Sequence, residues 1–326
     1  MNATSTSPTI EPHEPHWVSK AAFPVVMAVF YITQIALGVA VYHSLYWLAI
    51  PLVLLSSHLM HGALIGLHEA SHGLLRKKRL LNEIDGTLIA AFSITSFSLY
   101  RVVHQSHHAH LATERDEELW PFVLPKISRR ARILAVVLEL GLGFLYTQFL
   151  FVRAFLRPGS SIRRKDLRRR IRLELWMTAA LWTVILAAVA WWGLWKYLFW
   201  LYLAPAWLAG NMQSLRKYIE HVGLTGATIN SSTRSIVAHG WLGKLVAFSL
   251  LHEPFHGVHH KHSGLPHAKL PQFVAILDPV MPDERPPFPN YRQAFRDLFQ
   301  SLADPRVGAQ WNAAHLEPSR HLTKVG

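Results

Sequence analysis

Two apolar stretches constrain this chain more than any other feature. Residues 21–42 (AAFPVVMAVFYITQIALGVAVY) and 45–67 (LYWLAIPLVLLSSHLMHGALIGL) are each long enough to cross a bilayer's hydrocarbon core, which takes about 20 helical residues. Only His43 and Ser44 separate them, so they read as a tight transmembrane hairpin. A second pair follows at 173–195 and 197–215, with Trp and Tyr near the ends, where amphipathic rings favour the interface. The expectation is an all-α integral membrane protein with four transmembrane helices in two hairpins.

Composition agrees. Half of the residues are apolar (51%) and 16% are charged, against about 25% charged in a soluble domain. The net charge is +13, but the basic residues flank the apolar runs, which points to a membrane surface and not to nucleic acid. Arg76, Lys77, Lys78 and Arg79 follow the first hairpin, the stretch from Arg153 through Arg172 includes nine basic residues, and the far-side turns hold only Lys196. Positive charge marks cytoplasmic loops, so both hairpins and both termini are expected to open to the cytoplasm.

Two further stretches, 84–100 and about 131–152, carry Asp85, Glu139 and Gln148 among apolar residues; each is left between lying in the interface and dipping in. Residues 241–251 are too short to span. The chain therefore divides into a polar tail at 1–20 with no signal-peptide pattern, a membrane domain at 21–275, and a cytoplasmic tail at 276–326. That last part carries one amphipathic helix around 291–302.

The chain has no cysteine, which excludes a disulfide framework, a Cys-ligated zinc site and a Cys-ligated iron–sulfur cluster. It has 21 histidines, and they concentrate in boxes: His68-Glu69-Ala70-Ser71-His72, His104-Gln105-Ser106-His107-His108, the isolated His221, and His256-Gly257-Val258-His259-His260. On a helix, positions i, i+3 and i+4 share a face, so each box can aim two or three imidazoles at one point. Neutral imidazole suits iron, zinc, copper and nickel, and a pKa near 6.5 leaves it neutral at pH 7. The boxes follow the predicted cytoplasmic helix ends, where segments distant in sequence can meet.

Two competing readings use the same residues. His68-Glu69-Ala70-Ser71-His72 fits H-E-x-x-H, the zinc-peptidase pattern with Glu69 as general base, but it leaves at least five of the remaining box histidines idle. A metal transporter would place ionisable residues at mid-membrane, where only His58 and His61 qualify.

The order and spacing of the boxes resemble the membrane fatty acid desaturase and hydroxylase superfamily, over roughly residues 20–275. That resemblance implies a cytoplasmic helical cap holding a di-iron centre, with His68, His72, His104, His107, His108, His221, His256, His259 and His260 as ligands. It implies dioxygen activation and hydrogen removal from an unactivated C–H bond of a lipid or fatty acyl chain, giving a double bond, or a hydroxyl or keto group in alkane and carotenoid relatives. Two departures stand out: acyl-CoA desaturases of the animal type have HxxxxH as first box, here HxxxH, and an Asn where this chain has Lys217. The Tyr218-Ile219-Glu220-His221 segment is similar to alkane hydroxylases, whereas Phe255-His256 is similar to acyl-lipid desaturases; desaturation is the favoured outcome. No flavin, nicotinamide or haem segment is present, so an external donor such as a ferredoxin or cytochrome b5 is implied.

An all-imidazole site leaves metal charge uncompensated, so nearby carboxylates are expected to support it. Glu69, Glu220 and Glu253 adjoin or closely precede box histidines, and Asp116 resembles the acid that trails the second box in relatives. His110, His252, His262 and His267 read as bystanders, and the basic run 153–172 reads as a topology and lipid-headgroup determinant.

Overall fold

The computed structural model describes residues 14–314. After a single turn, α1 (Trp17–Lys20), the chain forms α2 (Ala22–Tyr42) and α3 (Tyr46–Ser71), which pack along their length as the expected hairpin. Their outer faces keep Ile32, Ile35 and Leu54 exposed, a continuous apolar surface that suits lipid and not water. Gln34 on α2 donates to Ser56 Oγ on α3 at 2.7 Å, so the polar side chains inside the pair find each other.

Next come α4 (Arg79–Phe92) and α5 (Phe97–Ala109), which meet at a 99° bend. A helix that ends at membrane depth leaves carbonyls with no intrahelical donor and no water. Here they have side-chain partners. Trp182 Nε1 donates to Ala91 O at 3.0 Å, Gln148 Nε2 to Ser93 O at 2.7 Å, and the Tyr202 hydroxyl to Phe92 O. Glu174 accepts from Ser96 Oγ at 2.6 Å and from Ser98 N at 2.8 Å, pinning the start of α5.

The following α6 (Arg129–Leu156) bends at Leu142, where φ is −129°. α7 (Lys165–Trp192) ends at Gly193 with φ 67°, and Trp191 is 84% exposed on its outer face. Then α8 (Trp195–Leu198), a π-helical turn (Phe199–Leu203) and α9 (Ala204–His221) run on without a break. Four helices are individually long and apolar enough to cross a membrane: α2, α3, α6 and α7. The expected span at 197–215 is helical but divided by the π turn; its second half carries Asn211 and Gln213, and Arg216 and Lys217 follow directly on the same helix. The stretch 131–152, which sequence left between two readings, supplies the remaining long apolar helix. The second hairpin also opens, because α7 packs on α4 and α5 while α9 packs on α3 and α6.

Both ends of α6 belong to the histidine side. Near its start Ala135 and Val136 pack with Leu119 and Phe122, and near its end Phe151 and Phe155 pack with Leu67, Tyr100 and Val103. The rest of the chain builds a cap over that side: α10 (Ile229–Ser232), α11 (Gly240–Ser249), α12 (His256–Lys261), a 3-10 segment (His267–Leu277), α13 (Tyr291–Ser301) and α14 (Gln310–Ala314). No strand occurs among the described residues; one bridge joins Ile236 and Phe288. The stretch from 276, expected as a tail, is folded into the cap as far as it is described. The amphipathic α13 buries Ala294 and Leu298 against Phe122 and Tyr218.

Candidate metal centre

Each box owes its aim to a helix face. On α3, Met60, Ala63, Leu64 and Leu67 form one stripe at i, i+3, i+4 and i+7, and the stripe continues as His68 and His72. On α5, Ser96 caps the N-terminus by accepting from Leu99 N at 3.1 Å, which fixes the phase that points His104, His107 and His108 inward. His221 is the last residue of α9, and His256, His259 and His260 lie on the short α12.

These nine side chains converge from four helices into two adjoining groups. His68, His72, His104, His108 and His259 bring their ligand atoms within 4.8 Å of one another; His107, His221 and His260 do likewise, as do Glu220, His221 and His256. The groups touch where His108 and His260 stack with centroids 4.3 Å apart. His104 Nε2 lies 3.0 Å from His72 Nε2 and 3.1 Å from His108 Nε2; His256 Nε2 lies 2.9 Å from His221 Nε2 and 3.0 Å from His260 Nε2. Two nitrogens about 2.1 Å from one ion and at right angles are about 3.0 Å apart, so the spacing is that of cis ligands.

Proton placement gives the same answer. His104 Nδ1 faces Glu118 Oε1 at 3.0 Å, His107 Nδ1 faces Asp116 Oδ2 at 2.8 Å, His256 Nδ1 faces Glu253 Oε1 at 3.0 Å, and His221 Nδ1 faces Ser232 O at 3.1 Å. Each oxygen accepts, so each Nδ1 carries a hydrogen, which leaves Nε2 of a neutral ring with a bare lone pair. The lone pairs of His221 and His256 therefore oppose each other at 2.9 Å, an arrangement that a cation between them stabilises. Burial, aided by neighbouring histidines and Arg216, holds His256 and His259 well below the ordinary imidazole pKa, and burial with its histidine neighbours does the same for His260. The third box is thus neutral and able to ligate.

The supporting carboxylates are partly the expected ones. Asp116 holds His107, and Glu220 lies 3.5 Å from His256 Nδ1 with an oxygen close enough to act as a ligand itself. Glu69 does otherwise: it accepts from the backbone N–H of His267 at 3.3 Å, while Glu253 takes the place beside His68 Nδ1 at 3.3 Å. Glu118 and Arg216 were not singled out from sequence. The Arg216 guanidinium is held by Glu220 at 2.9 Å and by Glu253, so one half-buried cation ties together the two acids beside His256. An Arg four residues before Glu220 on one helix face is the local signal that could have found it. His252 and His267 pair with each other, Nδ1 to Nδ1 at 3.2 Å, outside both groups.

A family model described as fatty acid desaturase matches residues 45–292, most of the chain and every box. The chain belongs to the fatty acid desaturase family. No curated protein matches it. The family is a group of oxidoreductases that use iron, oxygen and lipid substrates, and the two nitrogen-rich groups fit metal ions of that kind. In this desaturase-family chain a cavity of about 560 Å³ runs along the stripe on α3 and ends on His104, His107, His221 and His256. Its walls are largely apolar, drawn from α2, α3, α4, α6 and α9.

Proposed function

We propose that this protein is an oxygen-dependent fatty acyl desaturase whose nine box histidines hold two iron ions at the cytoplasmic membrane face. The observation that carries the reading is the apolar cavity that closes on the histidine groups: its volume lies in the about 300–1,000 Å³ range of small-molecule sites, and its lining suits a hydrocarbon. Bound iron would supply dioxygen activation and hydrogen removal from an unactivated C–H bond.

The chain's own residues do the positioning. The stripe from Met60 to Leu67 holds the hydrocarbon beside the metal ligands, and the apolar wall keeps water away from the reacting carbon. Asp116, Glu118 and Glu253 hold the ring hydrogens on Nδ1, which keeps every facing Nε2 in its ligating form. Arg216 balances the charge of Glu220 and Glu253. Electrons come from an external donor of ferredoxin or cytochrome b5 type. Desaturation is supported by the HxxxH, HxxHH, HxxHH series and by Phe255, which packs with Val258 and Leu270 at the head of α12. The peptidase reading loses support, because Glu69 turns to His267 and away from the box histidines.

Expression in a host with defined lipids, followed by mass spectrometry, tests the reading. Loss of two hydrogens is expected, with about two irons per purified chain and loss of product on alanine substitution of any box histidine. Oxygenated products alone would replace desaturation by hydroxylation, and a single zinc with activity retained in His104→Ala would end the di-iron assignment.

A further inference from the structure

The cavity opens sideways. Among its lining residues only Tyr31 on α2 and Leu88 and Phe92 on α4 are exposed; Tyr31 is 60% exposed and Leu88 52%. These three form a lip between two helices whose outer faces are apolar. Its depth follows from helix geometry. Tyr31 stands nine residues from one end of α2 and eleven from the other, about 14 and 17 Å at 1.5 Å per residue. Leu88 stands nine residues into α4 from Arg79, again about 14 Å. The tip of α4 is tied to Trp182, ten residues beyond the last Arg of α7. The mouth therefore lies near the middle of the apolar layer, one cavity length away from the histidines.

The charged lining residues all sit at the other end, and they are already partnered. Lys217 pairs with Glu139, which also accepts from the Tyr218 hydroxyl at 3.1 Å; Arg216 pairs with Glu220 and Glu253; Glu118 holds His104. None offers a free charge to a head group. A polar or charged head group is also costly at mid-membrane depth, so it cannot lead the way through this mouth.

We infer that the substrate is a bilayer-resident acyl chain admitted sideways between α2 and α4 with its methyl end leading, so that the carbon oxidised is set by its distance from the methyl terminus. The inference rests on the proposed hydrocarbon oxidation and adds its direction. A chain that enters tail first stops when its methyl end meets the closed end of the cavity beside the histidines, so the carbons within reach are those nearest the methyl terminus, and the head group stays outside whatever its identity.

The test feeds a host expressing the full chain with saturated acyl chains that differ in length by pairs of carbons and locates the modified carbon in each product. A position constant from the methyl end, across lengths and head groups, is the expected result; a position constant from the carboxyl carbon overturns the inference and leaves the proposed function standing. No oxidised product from any chain would remove both. Leu88→Trp, which fills the mouth, should lose turnover with iron content unchanged, whereas Ile32→Trp, on the outer face of α2, should leave turnover intact. Equal turnover in Leu88→Trp and wild type would place the entrance elsewhere.

Discussion

At the scale of single residues, the site is governed by which ring nitrogen carries the hydrogen. Glu118 fixes this for His104 from a loop ten residues beyond the second box. Removing such a partner typically costs 10–100-fold in metal affinity or activity, and that range is expected for Glu118→Ala, read as iron content and turnover. Glu118→Gln should stay close to wild type, because the amide oxygen accepts the same N–H. The histidines were legible in the sequence because i, i+3 and i+4 spacing is local. Their carboxylates were legible only in part: neighbours on a helix point about 100° apart, so Glu69, adjacent to His68, turns out of the face that His68 and His72 share. Glu118 reaches His104 only through the fold of the loop between α5 and α6, which no local pattern encodes.

At the scale of elements, α6 and α9 are in backbone contact. A Cβ on Gly210 would lie 2.5 Å from Phe144 N and 2.6 Å from Phe144 Cα, and one on Gly143 would lie 2.5 Å from Gly210 O. Close approach of this kind puts His221 and Glu139 on facing helices within reach of one cavity. Gly210→Ala should destabilise by about 1–3 kcal/mol through overpacking against atoms that cannot move aside, whereas Gly141→Ala, with nothing within 4 Å of its Cβ, should not. Thermal unfolding in detergent compares the two. Sequence read the first hairpin closely because its helices face lipid over most of their length. It left 131–152 undecided and gave no sign of the π turn in 197–215, because Lys217, Gln213 and Glu139 face an interior that only the assembled bundle creates, and polar residues there lower the hydropathy of a buried helix.

At the scale of the whole molecule, the topology turns on α6, which is long and apolar enough to span and yet packs near both ends on the histidine-bearing part of the fold. If α6 crossed the membrane, its ends would part, yet the cluster around Leu119 takes in α6 from Ala135 to Leu150 and the cluster around Tyr100 takes in Phe151 and Phe155. The expected topology therefore has α2, α3, α7 and the α8–α9 run as the crossings, with all box histidines on one side. The chain is free of cysteine, so single cysteines report sidedness directly. At positions 78, 130, 157 and 165 an impermeant maleimide should label only permeabilised cells, and at 43 and 194 it should label intact ones. Labelling of 130 and 157 from opposite sides would mean that α6 spans. The same ties at the tip of α4 also set a timetable for making the protein. The donors that satisfy Ser93, Ala91 and Phe92 lie 55, 91 and 110 residues later in the chain. A nascent chain thus has no place in lipid for the bend between α4 and α5 until its last hairpin has left the ribosome, and insertion of that bend must follow an order different from synthesis.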